Sequence, residues 1–288
     1  MLTHRGPSLF GSLAIVVPLS VTACGAPAAQ APAADGGGTP PVVTFTGTDY
    51  AFEGPSEVPA GMTELVIQNE GQELHHIQLV KLADGKTAAD LEPHMKTLLT
   101  APPEWASLIG GPNAAMPGQS ANAFVDLEPG QYVMTCEIPS PDGKLHAEKG
   151  MVGSFTVTAS DAAAAAAPQA DIAVAGSDFL FEPLPSIGAG AHVFNFENKG
   201  KQAHEAVLIK LDGDATVDEF ASYFGPEAPP GPPPGVGVGG VVALEPGMSQ
   251  TFKASLDAGR YAFVCFLTDT ASGAPHFALG MQSTFAVP

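Results

Sequence analysis

The chain has 288 residues and a formal charge of −19, and it is 45 % hydrophobic and only 14 % charged, with 33 Gly and 28 Pro. Such a composition argues against a coiled coil and for a soluble, loop-rich β protein, and the length fits two domains of about 110–120 residues each. The negative balance argues against nucleic acid or anionic lipid as a partner, and it either favours docking of a basic protein or simply maintains solubility.

The N-terminus reads as a targeting segment. Arg5 lies in a short n-region, and residues 9–21 are mostly apolar but broken by Gly11 and Pro18, too short for a good membrane span. The run ends Val21-Thr22-Ala23-Cys24. Small residues leading to a Cys resemble a bacterial lipobox, which implies cleavage after residues 1–23 and diacylglycerol on the Cys24 sulfur. The chain is then expected to be exported and anchored through lipid on the extracytoplasmic side of a membrane, in the periplasm or at the cell surface. The competing reading is an ordinary secretory signal without lipid. Residues 24–40, rich in Ala, Pro and Gly, read as a flexible tether.

The first domain is read over 41–158. Short β-rich runs at 42–46, 63–68, 77–82, 121–127, 131–136 and 153–158 are separated by turn residues such as Glu128-Pro129-Gly130. Between them, 87–100 predicts a short helix with Thr87 as N-cap and Leu91, Leu98 and Leu99 as its apolar positions, with Pro93 near its start. An Ala-rich linker fills 159–170. The second domain, 171–288, repeats the set at 172–174, 191–197, 206–211, 250–256, 260–264 and 283–287, with a helical segment at 216–224 and a stiff Pro/Gly loop at 225–240 that reads as a surface cover. Many short strands at regular spacing predict β-sandwiches or barrels, each with a helical insertion.

The two stretches are copies. A shift of 129 residues superposes Asp49 on Asp178, Phe52 on Phe181, Asn69 on Asn198, Gly71 on Gly200, Gly110-Gly111 on Gly239-Gly240 and Tyr132 on Tyr261. It also carries His75 to His204 and Cys136 to Cys265, while His146 and Met151 reach His276 and Met281 by a shift of 130. Two imidazoles, a thiolate and a thioether form a soft donor set that suits copper, and a His2Cys plane with a weak axial Met is the type 1 electron-transfer arrangement. Gly150 and Gly280 precede the two Met residues and allow the chain to turn there.

The order His, a long gap, then Cys, His and Met near the end of each copy resembles the cupredoxins, the plastocyanin and azurin family, over nearly the whole of both copies. The resemblance implies an all-β chain of two tandem Greek-key β-sandwich domains with one copper in each, two per chain. It makes His75, Cys136, His146, Met151, His204, Cys265, His276 and Met281 the metal ligands. In the family the first His begins a strand and the other three ligands lie around the loop joining the last two strands. The chain departs from that pattern in its Cys-to-His loops, which hold nine residues in the first copy and ten in the second where the family uses a few. His76 faces the other way along the strand and is read as exposed or locally bonded, because its counterpart is Glu205. A disulfide between Cys136 and Cys265 would tie the two copies at one site and is not expected.

The leading functional expectation is an anchored electron carrier that exchanges electrons with a redox partner protein, such as a basic cytochrome steered by the acidic charge. Copper delivery or storage without electron transfer and a metal-free interaction module compete with it. An enzyme is not expected: enzymes of two-domain cupredoxin type join a second copper through His residues beside the Cys or through His-x-His pairs. Here Thr135 and Glu137 flank Cys136, Val264 and Phe266 flank Cys265, and the chain has no His-x-His.

Overall fold

The computed structural model describes Leu2, Gly6 and residues 38–113, 115–162, 164–224 and 228–288. Apart from Leu2 and Gly6, the leader at 1–23, Cys24 and the tether up to residue 37 lie outside the described residues. No helix among the described residues is long and apolar enough to cross a membrane.

The first half holds β1 (Val42–Thr48), β2 (Ala51–Glu53), β3 (Glu57–Pro59), β4 (Gly61–Asn69), β5 (Gln78–Leu82), β6 (Ala106–Leu108), β7 (Ser120–Leu127), β8 (Gly130–Thr135) and β9 (Val152–Thr158). The second half follows with β10 (Ile172–Ser177), β11 (Leu180–Phe181), β12 (Gly190–Asn198), β13 (His204–Leu211), β14 (Gly235–Leu244), β15 (Ser249–Leu256), β16 (Gly259–Val264) and β17 (Gln282–Val287). The alternation read from the sequence is the cause: in β4, Leu65 and Ile67 turn inward and their neighbours outward. The chain is thus nearly all β, a cupredoxin-like sandwich architecture.

Strands β2-β1-β4-β7 and β15-β12-β10-β11 form one eight-stranded sheet, and β3-β9-β8-β5-β6 and β14-β13-β16-β17 form the facing sheets. Between the layers lie the largest buried side chains, Phe45, Tyr132 and Ile67 in the first half and Phe194, Phe252 and Tyr261 in the second. Each such side chain contributes roughly 1.5–3 kcal/mol by leaving water. Both tyrosines donate their hydroxyl to a backbone carbonyl four residues back, Tyr132 to Glu128 and Tyr261 to Asp257, each at 2.9 Å.

The halves meet along two antiparallel seams. Phe124 of β7 pairs with Thr251 of β15, and the Asn122 side chain bonds both the amide and the carbonyl of Lys253. Beyond β6, Gly110 N donates to Ala243 O and Val242 N to Gly111 O, both at 3.1 Å, and Pro112 bridges Val241. Pro112 and Val241 are counterparts in the repeat, so the pair sits on a local two-fold relation and the contact is isologous in form. Gly111 and Gly240 stand at φ 137° and 128°, and a Cβ on either would fall on a backbone carbonyl, Ile77 O or Ala206 O. The second Gly of each repeated pair is thereby explained.

Two expectations need correction. The segment 87–100 is an α-helix only over Ala88–Leu91, continued by a 3-10 helix over Glu92–Thr97. Pro93 lacks the N–H that an α-turn would use. The stretch 225–240 is not all covering loop, because β14 begins at Gly235 and fills a sheet edge against β13. Its Gly and Val content lets backbone pass close to backbone at the seam.

Candidate metal centres

Four segments converge at one end of each half. His75 stands just before β5, its amide and carbonyl bridged to Ala115, and His204 opens β13. Cys136 follows β8 and Cys265 follows β16. His146 caps the 3-10 helix Ala147–Lys149, and His276 opens the 3-10 helix His276–Leu279. Left-handed Gly150 and Gly280 then turn the chain into Met151 and Met281, whose amides return to the His146 and His276 carbonyls at 2.9 Å. All eight side chains are buried.

The long Cys-to-His excursions are pinned at their necks. His146 N donates to Ile138 O at 2.9 Å and Ala147 N to Cys136 O at 2.8 Å; His276 N and Phe277 N repeat this on Leu267 O and Cys265 O at 2.7 and 3.0 Å. The extra residues form a small closed loop outside the centre, and the second His returns on fixed backbone.

The donor atoms form two near-identical triangles. In the first, His75 Nδ1 and His146 Nδ1 are 3.1 Å apart, and Cys136 Sγ lies 3.4 Å from His146 Nδ1 and 3.9 Å from His75 Nδ1. In the second, His204 Nδ1 and His276 Nδ1 are 3.1 Å apart, with Cys265 Sγ at 3.3 and 3.9 Å. A triangle of that size has its centre about 2 Å from each corner, the length of a metal–imidazole bond. Met151 and Met281 lie beside these triangles with their methyl ends against Gly47 and Gly176, where a Cβ would come within 3.3 and 2.8 Å of them. The structure brings together both groups of His, Cys and His.

Protonation chemistry supports the fit. His75 Nε2 is 2.8 Å from Asp49 Oδ1, His146 Nε2 is 2.9 Å from Glu73 Oε2, and His204 Nε2 is 3.0 Å from Asp178 Oδ1. A carboxylate acceptor places the ring proton on Nε2 and leaves Nδ1 as a lone pair. In the first triangle two such lone pairs therefore face each other and a thiol, an arrangement that a cation at the centre stabilises. Burial pushes the Cys136 thiol up to about 12 and the Cys265 thiol well above its ordinary value, so loss of those protons calls for a metal. Burial lowers His75, His146 and His204 and takes His276 down to about 4, favouring the neutral imidazoles that metals need. Asp49 and Asp178 are partly buried, which acts upward, but bonds from backbone amides and from the His rings hold both carboxyls below their ordinary value.

The donor set of two imidazoles, a thiolate and a thioether suits a redox-active soft metal, copper before others. Sequence reasoning missed the outer partners. Asp49 and Asp178 carried a signal, since both copies hold an Asp at the same distance before the first His. Gly71 and Gly200 belong to the same unit, because a Cβ there would fall on the Asp carboxylate and within 2.6 and 2.5 Å of His75 Nε2 and His204 Nε2. Glu73 carried no repeat signal, its counterpart being Gln202. His76 is buried rather than exposed, and its Nε2 accepts the Glu137 amide at 2.8 Å on the side away from the triangle. Cys136 and Cys265 are free thiols.

No protein-family model matches the sequence, and no curated protein matches it. Among solved structures, the chain is similar to an auracyanin of Roseiflexus castenholzii, with 20 % identity over 42 % of this chain and 99 % of that one and a TM-score of 0.28. It is also similar to a copper-containing nitrite reductase of Thermus scotoductus, with 12 % identity over 87 % of this chain and 62 % of that one and a TM-score of 0.27. A multicopper oxidase matches with 13 % identity over 86 % of this chain and 88 % of that one, at a TM-score of 0.22. The chain is cupredoxin-like. The expectation that it is not an enzyme is corrected here, because these neighbours include a nitrite reductase and a multicopper oxidase, which are enzymes. One sandwich hosts carriers and catalysts alike, and metal ligands gather in space, so a search for His-x-His along the sequence does not decide the matter.

Proposed function

We propose that each half is a cupredoxin domain holding one type 1 copper, so that the chain carries two coppers and transfers electrons. The domains would span 41–158 and 171–288 with a linker at 159–170. The ligands would be His75, Cys136, His146 and Met151 in the first, and His204, Cys265, His276 and Met281 in the second. Copper, when bound, supplies a one-electron couple. The chain's own residues fix the donor triangle before metal arrives, exclude water from it and hold Nε2 protons on Asp49, Glu73 and Asp178, so that little rearrangement accompanies a change of charge. The observation that carries the reading is the doubled triangle of two Nδ1 atoms and one Sγ, with a buried Met beside each. The sequence supports the rest of the proposal: a lipid anchor on Cys24, an extracytoplasmic location and a basic redox protein such as a cytochrome as partner, drawn by the −19 charge.

Titration of the full chain with Cu(II), read by visible spectrum and copper content, tests it. An intense thiolate-to-copper band saturating at two coppers is expected, with half the band lost in Cys136→Ser and the other half in Cys265→Ser. Tight Cu(I) binding without the band would replace electron transfer by delivery or storage, and no copper at all would end the metal reading.

A further inference from the structure

A cavity of about 460 Å³ opens where the two halves meet, and residues next to the ligand candidates, among them His76, Glu137, Phe266 and Phe277, help to line it. Its walls are apolar: Met95 and Leu99 come from the helical insertion of the first half, and Phe220, Phe224, Phe266 and Phe277 from the second. The four rings pack at tilted angles, with centroids 5.2 Å apart for Phe220 and Phe224 and 5.5 Å for Phe266 and Phe277. Exposed Lys96 and Thr268 stand at its rim. Ligand pockets have this character: a volume of roughly 300–1,000 Å³, an apolar lining, a junction between structural units and a few converging polar groups.

Besides Lys96, Thr100 and Thr268, four polar side chains line it, and three of these four are satisfied. Glu205 accepts from Phe266 N at 2.8 Å and from Asn113 Nδ2 at 3.1 Å, which also occupies Asn113. His76 accepts from Glu137 N. The fourth, Glu137, is 8 % exposed, and its carboxyl makes no hydrogen bond among the described residues; Oε1 is wholly buried and without a partner. Burial pushes the Glu137 carboxyl up to about 7, and the Thr135 hydroxyl beside it acts the other way, although neither of the two reaches full hydrogen-bond geometry with any partner among the described residues. Lys96 at the rim is turned to Glu148 at 3.1 Å. A buried acceptor with no donor is costly to a folded chain, and its place in an apolar, aromatic-walled cavity marks it as the polar contact of a ligand. The copper reading does not use this residue's side chain.

We propose that this cavity binds a small, largely apolar aryl or alkyl molecule carrying one hydroxyl, whose proton the Glu137 carboxyl accepts while the Phe rings enclose the rest. A neutral donor fits better than a fixed cation, which would have to be stripped of water against aromatic walls. The walls adjoin the ligand segments, but the proposal uses none of the eight donor side chains.

Calorimetric titration of the metal-free full chain with 4-propylphenol tests it, against 4-propylanisole, in which a methyl group replaces the donated proton. One saturable site is expected, with the ether weaker by about tenfold, the scale of one hydrogen bond. In Glu137→Leu the two compounds should bind alike. In Ala221→Trp, which fills the cavity from a wall residue on the second-half helix, neither should bind, and near-ultraviolet circular dichroism checks that each variant is folded. No saturation of the unaltered chain at millimolar phenol overturns the proposal. So does an ether that binds as tightly as the phenol, a preference that survives Glu137→Leu, or binding that survives Ala221→Trp. Should Glu137→Leu not fold, the ether comparison and Ala221→Trp still decide.

Discussion

The two donor triangles agree within 0.1 Å on every side, yet their surroundings differ at the second imidazole. In the first half His146 Nε2 meets Glu73, which also accepts the Tyr50 hydroxyl at 2.6 Å, and Tyr50 in turn takes bonds from Ser140 and Lys149. In the second half Phe179 replaces Tyr50, its ring 5.0 Å from that of His276, and Gln202 replaces Glu73 but is turned to Asp269. His276 Nε2 is left buried with no partner among the described residues. Exposed Leu279 stands where the first half has Lys149. The inner triangle is thus a property of the fold, repeated with the backbone that builds it, whereas the outer partner of the second His is a local choice of side chain. One centre has a charged, bonded rim and the other an apolar one.

The largest effect should come from breaking the bonded rim. Glu73→Ala removes the acceptor from His146 Nε2 and from Tyr50, so the metal-free chain should lose about 1.5–3 kcal/mol in denaturant unfolding. Copper affinity at the first centre should fall about 10–100-fold, as for other partners of metal-bound His. Competition with a Cu(I) chelator, run in the Cys265→Ser background for the first centre and in Cys136→Ser for the second, reads each separately. An equal loss at both centres would dissolve the contrast.

The shared Asp gives the opposite kind of test. Asp49→Asn and Asp178→Asn remove the carboxylate charge that faces the first His of each half, and both should weaken copper by about tenfold. Losses that differ by orders of magnitude would mean that the inner triangles are less alike than their distances. Electrochemistry sharpens the contrast again. The Glu73 carboxylate adds negative charge and ligand basicity next to one centre only, which favours the oxidised metal. The first centre should therefore have the lower potential, and Glu73→Gln should raise it by about 59 mV for each tenfold change in relative affinity, leaving the other unmoved. A first centre already at the higher potential would refute this account of the rim.

The ligands were legible in the sequence because they recur: eight rare residues in one order, held in register by strands whose alternation is itself readable. Asp49 and Asp178 recur as well, but their role depends on Gly71 and Gly200 leaving room between carboxylate and imidazole, which only coordinates display. Glu73 and Tyr50 lack counterparts, so nothing in the repeat singled them out. The seam strand over Gly235–Leu244 was obscured by the Pro and Gly around it, since its partners are a neighbouring strand and a loop of the other half rather than a hairpin mate. Glu137 gave no periodic signal, because its isolation is a matter of which donors fail to reach it.

The smallest expected effect lies far from the metal, at a position where the halves again differ. His192 Nδ1 is 2.6 Å from Asp171 Oδ2, where the first half carries Thr63 and Val42. The Asp171 contact holds the His192 ring above its ordinary value, and that contact and the Val193 amide hold the Asp171 carboxyl below its own. The imidazolium part of the pair is therefore fully present below about pH 6.5, the unfolded value, and is lost as pH rises through the folded value. The carboxylate part is present above about pH 4 and falls away as pH drops through its lowered value. Between those limits the pair should add about 0.2–1 kcal/mol, the range of solvent-screened ion pairs. His192→Asn should accordingly lower the melting temperature at pH 5.5 more than at pH 8.5. Equal shifts at the two values would mean that the contact acts as a neutral hydrogen bond and that no charge is stored in it.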